Sequence, residues 1–241
     1  MKKYAIFFLP VISASLFMMG CEEDIQNDNA QAQSDVTVVA RTDEASEPES
    51  AATRSTEAAA EGTVITDAKI SIKEFELEVL NLSAALNLLS ELEIELKEPR
   101  VVTLVSEGQA QSEVIAEGKL QNGLYSEAEF SYHKNLSVET SDEMYGKSIL
   151  VKGQHNGLPF VCWTDEEKDV EIDFEGEGID VKEQGAIYVT FYVNKVMNEI
   201  DLSLAVDGNA NGVIEIGPDG ADGNAALYAA MQAGLTGMAK L

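Results

Sequence analysis

Cysteine, histidine and tryptophan are nearly missing from this chain, which has two, two and one of them in 241 residues. The usual nucleophile and metal-ligand patterns therefore have little to be built from. His133 and His155 belong to no HExxH pair and no nucleophile elbow, and neither a zinc spacing nor a phosphate-binding loop occurs. Cys162, in Phe160-Val161-Cys162-Trp163, reads as a small buried apolar residue rather than a nucleophile. Carboxylates are abundant, yet Asp165-Glu166-Glu167 reads as a solvated acidic face and not as a glycosidase pair. The expectation is a protein that is not an enzyme. Basic residues are scarce too, 16 against 43 Asp and Glu, for a formal net charge of -27. Such a surface repels phosphate backbones and excludes nucleic acid as a partner.

A membrane-spanning run is also lacking. The longest apolar stretch, Tyr4 to Met19, follows Lys2 and Lys3 and runs into Glu22, Glu23 and Asp24, too short and too soon charged to cross a bilayer. A charged start, an apolar core and a small residue before the cut make residues 1–20 a secretory signal peptide. Met18-Met19-Gly20-Cys21 resembles a bacterial lipobox, with methionine where leucine is usual. That resemblance implies that Cys21 is acylated and becomes the new N-terminus. Several acyl chains on one cysteine hold a protein on a membrane stably where one would not. Glu22-Glu23-Asp24 resembles the export signal of surface lipoproteins in Bacteroidetes-type bacteria, which implies an outer-membrane anchor facing the cell exterior. With Cys21 acylated, Cys162 has no disulfide partner, and the fold must rely on its core.

Residues 21–62 carry 11 acids against Arg41 and Arg54, are rich in Ala, Ser, Thr, Gln and Asn, and have no aromatic residue. Such a segment buries too little apolar area to offset its ordering entropy, so it reads as a disordered acidic tether. As a random coil it would reach roughly 35 Å.

From Thr63 the pattern changes to period two. Ile70 and Ile72 occupy one parity and Phe75, Leu77 and Val79 the other, with a β-bulge expected at Lys73-Glu74. Asn81 to Ser90 suits a helical turn or a loop. Leu92, Ile94 and Leu96 alternate with acids until Pro99 ends that strand, and Val101 to Val105 begins another. Gly108 to Gly118 reads as a loop, and Leu120 to Tyr132 contains a turn at Asn122-Gly123. Ser148–Gln154 and Leu158–Thr164 flank His155-Asn156-Gly157, and Asn-Gly supplies the positive φ angles of a type I′ hairpin. Alternation around Val170, Ile172 and Phe174, and from Ile187 to Val193, gives two more strands, the second covered on both faces. Leu227, Met231, Leu235, Met238 and Leu241 recur at helical spacing behind Asn224, a candidate N-cap. Many short strands without βαβ spacing predict a mainly β domain over residues 63–241, an antiparallel β-sandwich with a C-terminal helix.

One constellation carries specific chemistry. Asp207-Gly208-Asn209-Ala210-Asn211-Gly212-Val213-Ile214-Glu215 places side-chain oxygens at positions one, three and five, glycine at six and a backbone carbonyl, that of Val213, at seven. This resembles the first part of an EF-hand or dockerin-type calcium loop. Calcium needs oxygens converging from a tight turn, which Gly212 permits. Glu215, at position nine, can ligate directly or through water. Position twelve is Pro218, so the bidentate acid must come from Asp219 or Asp222. Few charges imply weak binding, roughly 10⁻⁴ to 10⁻³ M, and a structural Ca²⁺. The same residues are also common turn formers that need no metal.

Met144-Tyr145-Gly146-Lys147-Ser148-Ile149-Leu150-Val151-Lys152-Gly153, Asn156-Gly157-Leu158-Pro159-Phe160 and the run from Asp207 to Ile216 are similar to segments of Bacteroidetes-type lipoproteins carrying an all-β domain of unknown function. The resemblance implies a surface lipoprotein and a β-sandwich, and no activity. Three function classes follow: a non-catalytic binding or assembly module with a protein or glycan ligand, a fimbria-like structural subunit, and a carbohydrate-active enzyme. Trp163 and tyrosines lining a groove would favour glycan binding.

Overall fold

The structure, a computed structural model, describes residues 33–42, 62–79, 91–174, 178–181 and 185–240. The signal stretch, Cys21, Asn81–Ser90 and Leu241 lie outside the described residues. The chain is mainly β, in a sandwich-like arrangement dominated by antiparallel pairs. Its strands are β1 (Gln33–Thr42), β2 (Thr63–Val79), β3 (Glu91–Ser106), β4 (Gln109–Ala110), β5 (Ser112–Gln121), β6 (Leu124–Tyr132), β7 (Ile149–His155), β8 (Leu158–Thr164), β9 (Lys168–Asp173), β10 (Ile179–Asp180), β11 (Ala186–Phe191), β12 (Ile214–Ile216) and β13 (Ala239–Lys240).

One sheet runs β13-β11-β1-β5; the other runs β10-β6-β2-β7-β8-β12, with β3 on the free side of β2, β4 on β3 and β9 on β6. Two pairs, β1 with β11 and β8 with β12, are parallel. Between the sheets lies a core of alternating inward residues, among them Val38, Ile70, Phe75, Leu104, Phe130, Val151, Cys162 and Phe191. Phe130 on β6 meets Phe191 on β11 edge to face with centroids 5.6 Å apart, tying one sheet to the other. Each such ring, fully buried, contributes about 1.5–3 kcal/mol.

Strand β2 organises the larger sheet. β7 lies along its first part, Thr63 to Ile70, and β6 along its second, Ile72 to Val79, on the same edge. The register shift between Ile72 and Glu74 is the expected bulge, and it keeps Ile70, Ile72, Phe75 and Leu77 all in the core. Lys69, Glu74 and Glu76 are consequently left on the outer face.

Several expectations are corrected. Residues 33–42, assigned to the tether, form β1 at the centre of the smaller sheet. Val36, Val38 and Ala40 are buried there between β11 and β5. Apolar alternation over a few residues suffices for a strand once two neighbours supply its hydrogen bonds. Pro99 does not end a strand, because β3 runs through it. Between the pairs Glu95–Glu74 and Arg100–Ile72 β3 carries extra residues, and Pro99 falls in that bulge, where no ladder bond is required. The expected loop at Gly108 to Gly118 is largely β5. The expected turn at Asn122-Gly123 is present, and it joins strands of different sheets, since β5 pairs with β1 and β6 with β2. Val193 begins a helix, α1 (Val193–Asn198), instead of extending β11, and that strand exposes Tyr188, over whose ring the Arg41 guanidinium lies at 4.4 Å.

The β7–β8 hairpin turns through Asn156 at φ 51° and Gly157 at φ 83°, as expected. The C-terminal helix is α2 (Ala225–Gly234), with Leu227 and Met231 buried. Beyond it Leu235 and Met238 are buried in a 3-10 turn that leads to β13. No helix among the described residues is long and apolar enough to cross a membrane.

Candidate functional site: the Asp207 loop and the groove beside it

The loop from Asp207 to Gly212 is closed by hydrogen bonds from its backbone N–H groups to its own side chains. Asp207 accepts from the backbone N–H of Asn211 through Oδ1 (3.1 Å) and from that of Gly212 through Oδ2 (2.8 Å). The Asn211 N–H is shared with Asn209 Oδ1 at 2.9 Å, so oxygens of residues 207 and 209 meet at one donor. Asn211 Oδ1 in turn accepts from Val213 N at 2.8 Å. Gly212 has φ 87°, a conformation its lack of a side chain makes inexpensive. Each of these oxygens keeps a lone pair beyond the bond it accepts, which is what a hard cation requires.

Of the two acids offered for position twelve, the fold brings in Asp222. Its Oδ1 accepts from Asn209 N at 3.0 Å and its Oδ2 from Glu215 N at 2.8 Å. The backbones touch as well, since a Cβ on Gly208 would lie 2.3 Å from the Asp222 carbonyl oxygen. Asp219 is exposed on the turn after β12 and makes no hydrogen bond to the loop among the described residues. Glu215 is held at both ends, its Oε2 accepting from Asn209 Nδ2 at 2.9 Å. Asp207, Asn209, Asn211 and Asp222 thus bind backbone N–H groups of the same turn, while among the described residues only Glu127, Glu171 and Asp173 bring three acids within 4.8 Å of one another.

Asn224 is where sequence reasoning went furthest astray. It occupies the N-cap position of α2, but its side chain caps nothing. It is buried, donates to the carbonyls of Val206 (2.8 Å) and Glu215 (2.9 Å), and accepts from Val206 N (3.1 Å). One amide therefore fastens both ends of the loop to β12. No local signal distinguishes this from capping, because both uses begin with an asparagine ahead of a helix.

β12 delivers Glu215 to the outer face of the larger sheet. There the register sets Lys152, Val161 and Glu215 side by side, and Leu150 beside Trp163. Gly217, just past β12, lies flat on the Trp163 ring; a Cβ at that position would come within 2.3 Å of ring carbons. These residues, with Glu143 and Lys147, line a shallow groove of about 280 Å³. Its floor is apolar and its rim charged. The segment between β6 and β7 builds the near wall: Met144 is fully buried beside the sheet but outside the inter-sheet core. Lys147 Nζ donates to the Glu143 carbonyl at 2.6 Å, Lys69 Nζ sits 2.7 Å from Glu143 Oε1, and Lys152 Nζ donates to Glu143 Oε2. Burial works to raise the Glu143 carboxyl, but the two ammonium groups outweigh it and hold it below the usual carboxylate range.

The remaining reactive residues are occupied structurally. Cys162 is buried and unpaired, and burial pushes its thiol well up. His155 shares hydrogen bonds with Thr63 and Asn156, and His133 faces Glu167 at 3.2 Å. On the same outer face, farther along β2, carboxylate oxygens of Glu127, Glu171 and Asp173 lie within 4.8 Å of one another, brought together by the pairing of β6 with β9.

No protein-family model, no curated protein and no solved structure matches the chain.

Proposed function

We propose that this chain is an envelope lipoprotein, held to the outer membrane by acyl groups on Cys21 and facing the cell exterior, whose sandwich acts as a non-catalytic binding module. A structural Ca²⁺ held by Asp207, Asn209, Asn211, the Val213 carbonyl and Asp222 stiffens the loop that leads into β12. The observation that supports this reading is the capture of the backbone N–H groups of Asn209, Asn211, Gly212, Val213 and Glu215 by side-chain oxygens of Asp207, Asn209, Asn211 and Asp222, beside a groove.

Glu143, the carboxylate on the near wall of the groove, is not set up as a general acid. A glycosidase needs one carboxyl kept protonated as the general acid. Glu143, facing two lysine ammonium groups, is driven the other way.

The calcium part is tested by melting the mature chain in excess EDTA and in millimolar calcium. Binding to the native state alone stabilises it by mass action, by about 0.4–1.4 kcal/mol when calcium stands about one- to tenfold above its dissociation constant, and so raises the melting temperature. A melting temperature that is the same in both buffers rejects the ion at this loop.

A further inference from the structure

We propose that the groove floored by Leu150, Val161 and Trp163 is a binding site for a neutral sugar residue. The inference rests on reading this outer face as a binding surface, and it does not require the calcium ion.

A pyranose ring has apolar C–H faces and a girdle of hydroxyl groups, each of which both donates and accepts. A site for it needs a flat apolar floor with donors and acceptors around the edge. The floor here is the cross-strand patch in which Trp163 stands beside Leu150, with Val161 one step along β8. Donors come from Lys147 and Lys152, whose ammonium groups each have more N–H bonds than the one spent on Glu143. Acceptors come from the carboxylates of Glu143 and, across the groove, Glu215. Opposite charges alternate around the rim, so an anion would meet Glu215 and a cation would meet the lysines. A neutral polyol meets neither penalty.

The walls are also fixed in advance, which limits the ordering cost of binding. Glu143 is pinned by Lys69 and Lys152, Glu215 by Asn209, and the Trp163 ring by Gly217 beneath it. This rigidity distinguishes the groove from ordinary lysine-bearing surface.

Trp163 is the only tryptophan in the chain, so its fluorescence reports on this groove alone. The full-length protein is titrated with neutral oligosaccharides of glucose, galactose, mannose and N-acetylglucosamine, with glycerol as a polyol control, and followed by emission and by calorimetry. A saturable response to at least one oligosaccharide, half-complete at about 1 mM or below, is expected. Lys147→Ala and Lys152→Ala, both on the partly exposed rim, should each weaken it about tenfold, the worth of a hydrogen bond to a charged donor, with urea unfolding confirming that each variant is folded. The absence of both heat and emission change with all four series overturns the proposal. So does a response matched by glycerol, or one that both lysine variants leave unaltered. Because none of these readouts involves the metal, a failure here leaves the EDTA melting result standing, and the reverse also holds.

Discussion

The two halves of one sheet face make an instructive pair. Around β2, β6 and β9 the outer face is almost wholly acidic: Glu76 stands opposite Glu129, which stands opposite Glu171, and the next row carries Glu127 opposite Asp173. Around β7, β8 and β12 the outer positions are Leu150, Lys152, Val161, Trp163 and Glu215. The inner faces beneath both halves are equally apolar and belong to a single core. Core packing therefore does not account for the difference. Like charges placed directly opposite one another destabilise a sheet, so the acidic half is tolerated at a cost the core must offset. The other half has relieved that cost with three lysines around Glu143 and has grown a covering segment and a loop. β2 passes from one regime to the other at the bulge between Ile72 and Glu74.

The contrast is broken most strongly at Asn224. Asn224→Ala leaves the Val206 N–H, the Val206 carbonyl and the Glu215 carbonyl without their buried partner, and should lower stability by about 1–3 kcal/mol. Urea unfolding measures this, and calcium protection should disappear with it, because the loop loses its attachment to β12. A smaller effect of opposite sign is expected in the acidic half. Glu129→Gln, in the middle of a carboxylate row, should stabilise the fold by about 0.2–1 kcal/mol in low salt. The gain should fade as salt screens the row, and a gain independent of salt would point away from charge repulsion. The smallest effect concerns Glu143. Its carboxyl is lowered in the fold, so its contribution is present at neutral pH and is lost as pH falls through its folded value. Glu143→Gln should therefore lie below the parent at neutral pH, and the two stability curves should converge on acidification.

Much of the sandwich was legible because period-two alternation depends only on which side of a strand faces the core. Phe75, Leu77, Val170, Ile172 and Phe160 were readable in that way, and so were the bulge and the Asn156-Gly157 turn. The turn at Asp207 was readable because the side chains that close it lie within a few residues of one another. β1 was missed, since its neighbours β5 and β11 lie far along the chain and the flanking composition is that of a tether. The groove was missed for the same reason. Leu150, Trp163 and Gly217 are unremarkable singly, and only the pairing of β7 with β8 and the docking of β12 place them together.

Thus composition and local pattern alone determined the β class, the acidic surface, the hairpin and the spacing of oxygens at Asp207, because each follows from the chain's own short-range geometry. Tertiary structure decided which of Asp219 and Asp222 joins the loop, what Asn224 bonds to, where residues 33–42 belong and what surrounds Trp163. Those outcomes rest on contacts between segments distant in sequence, whose energies appear only when the strands are already side by side.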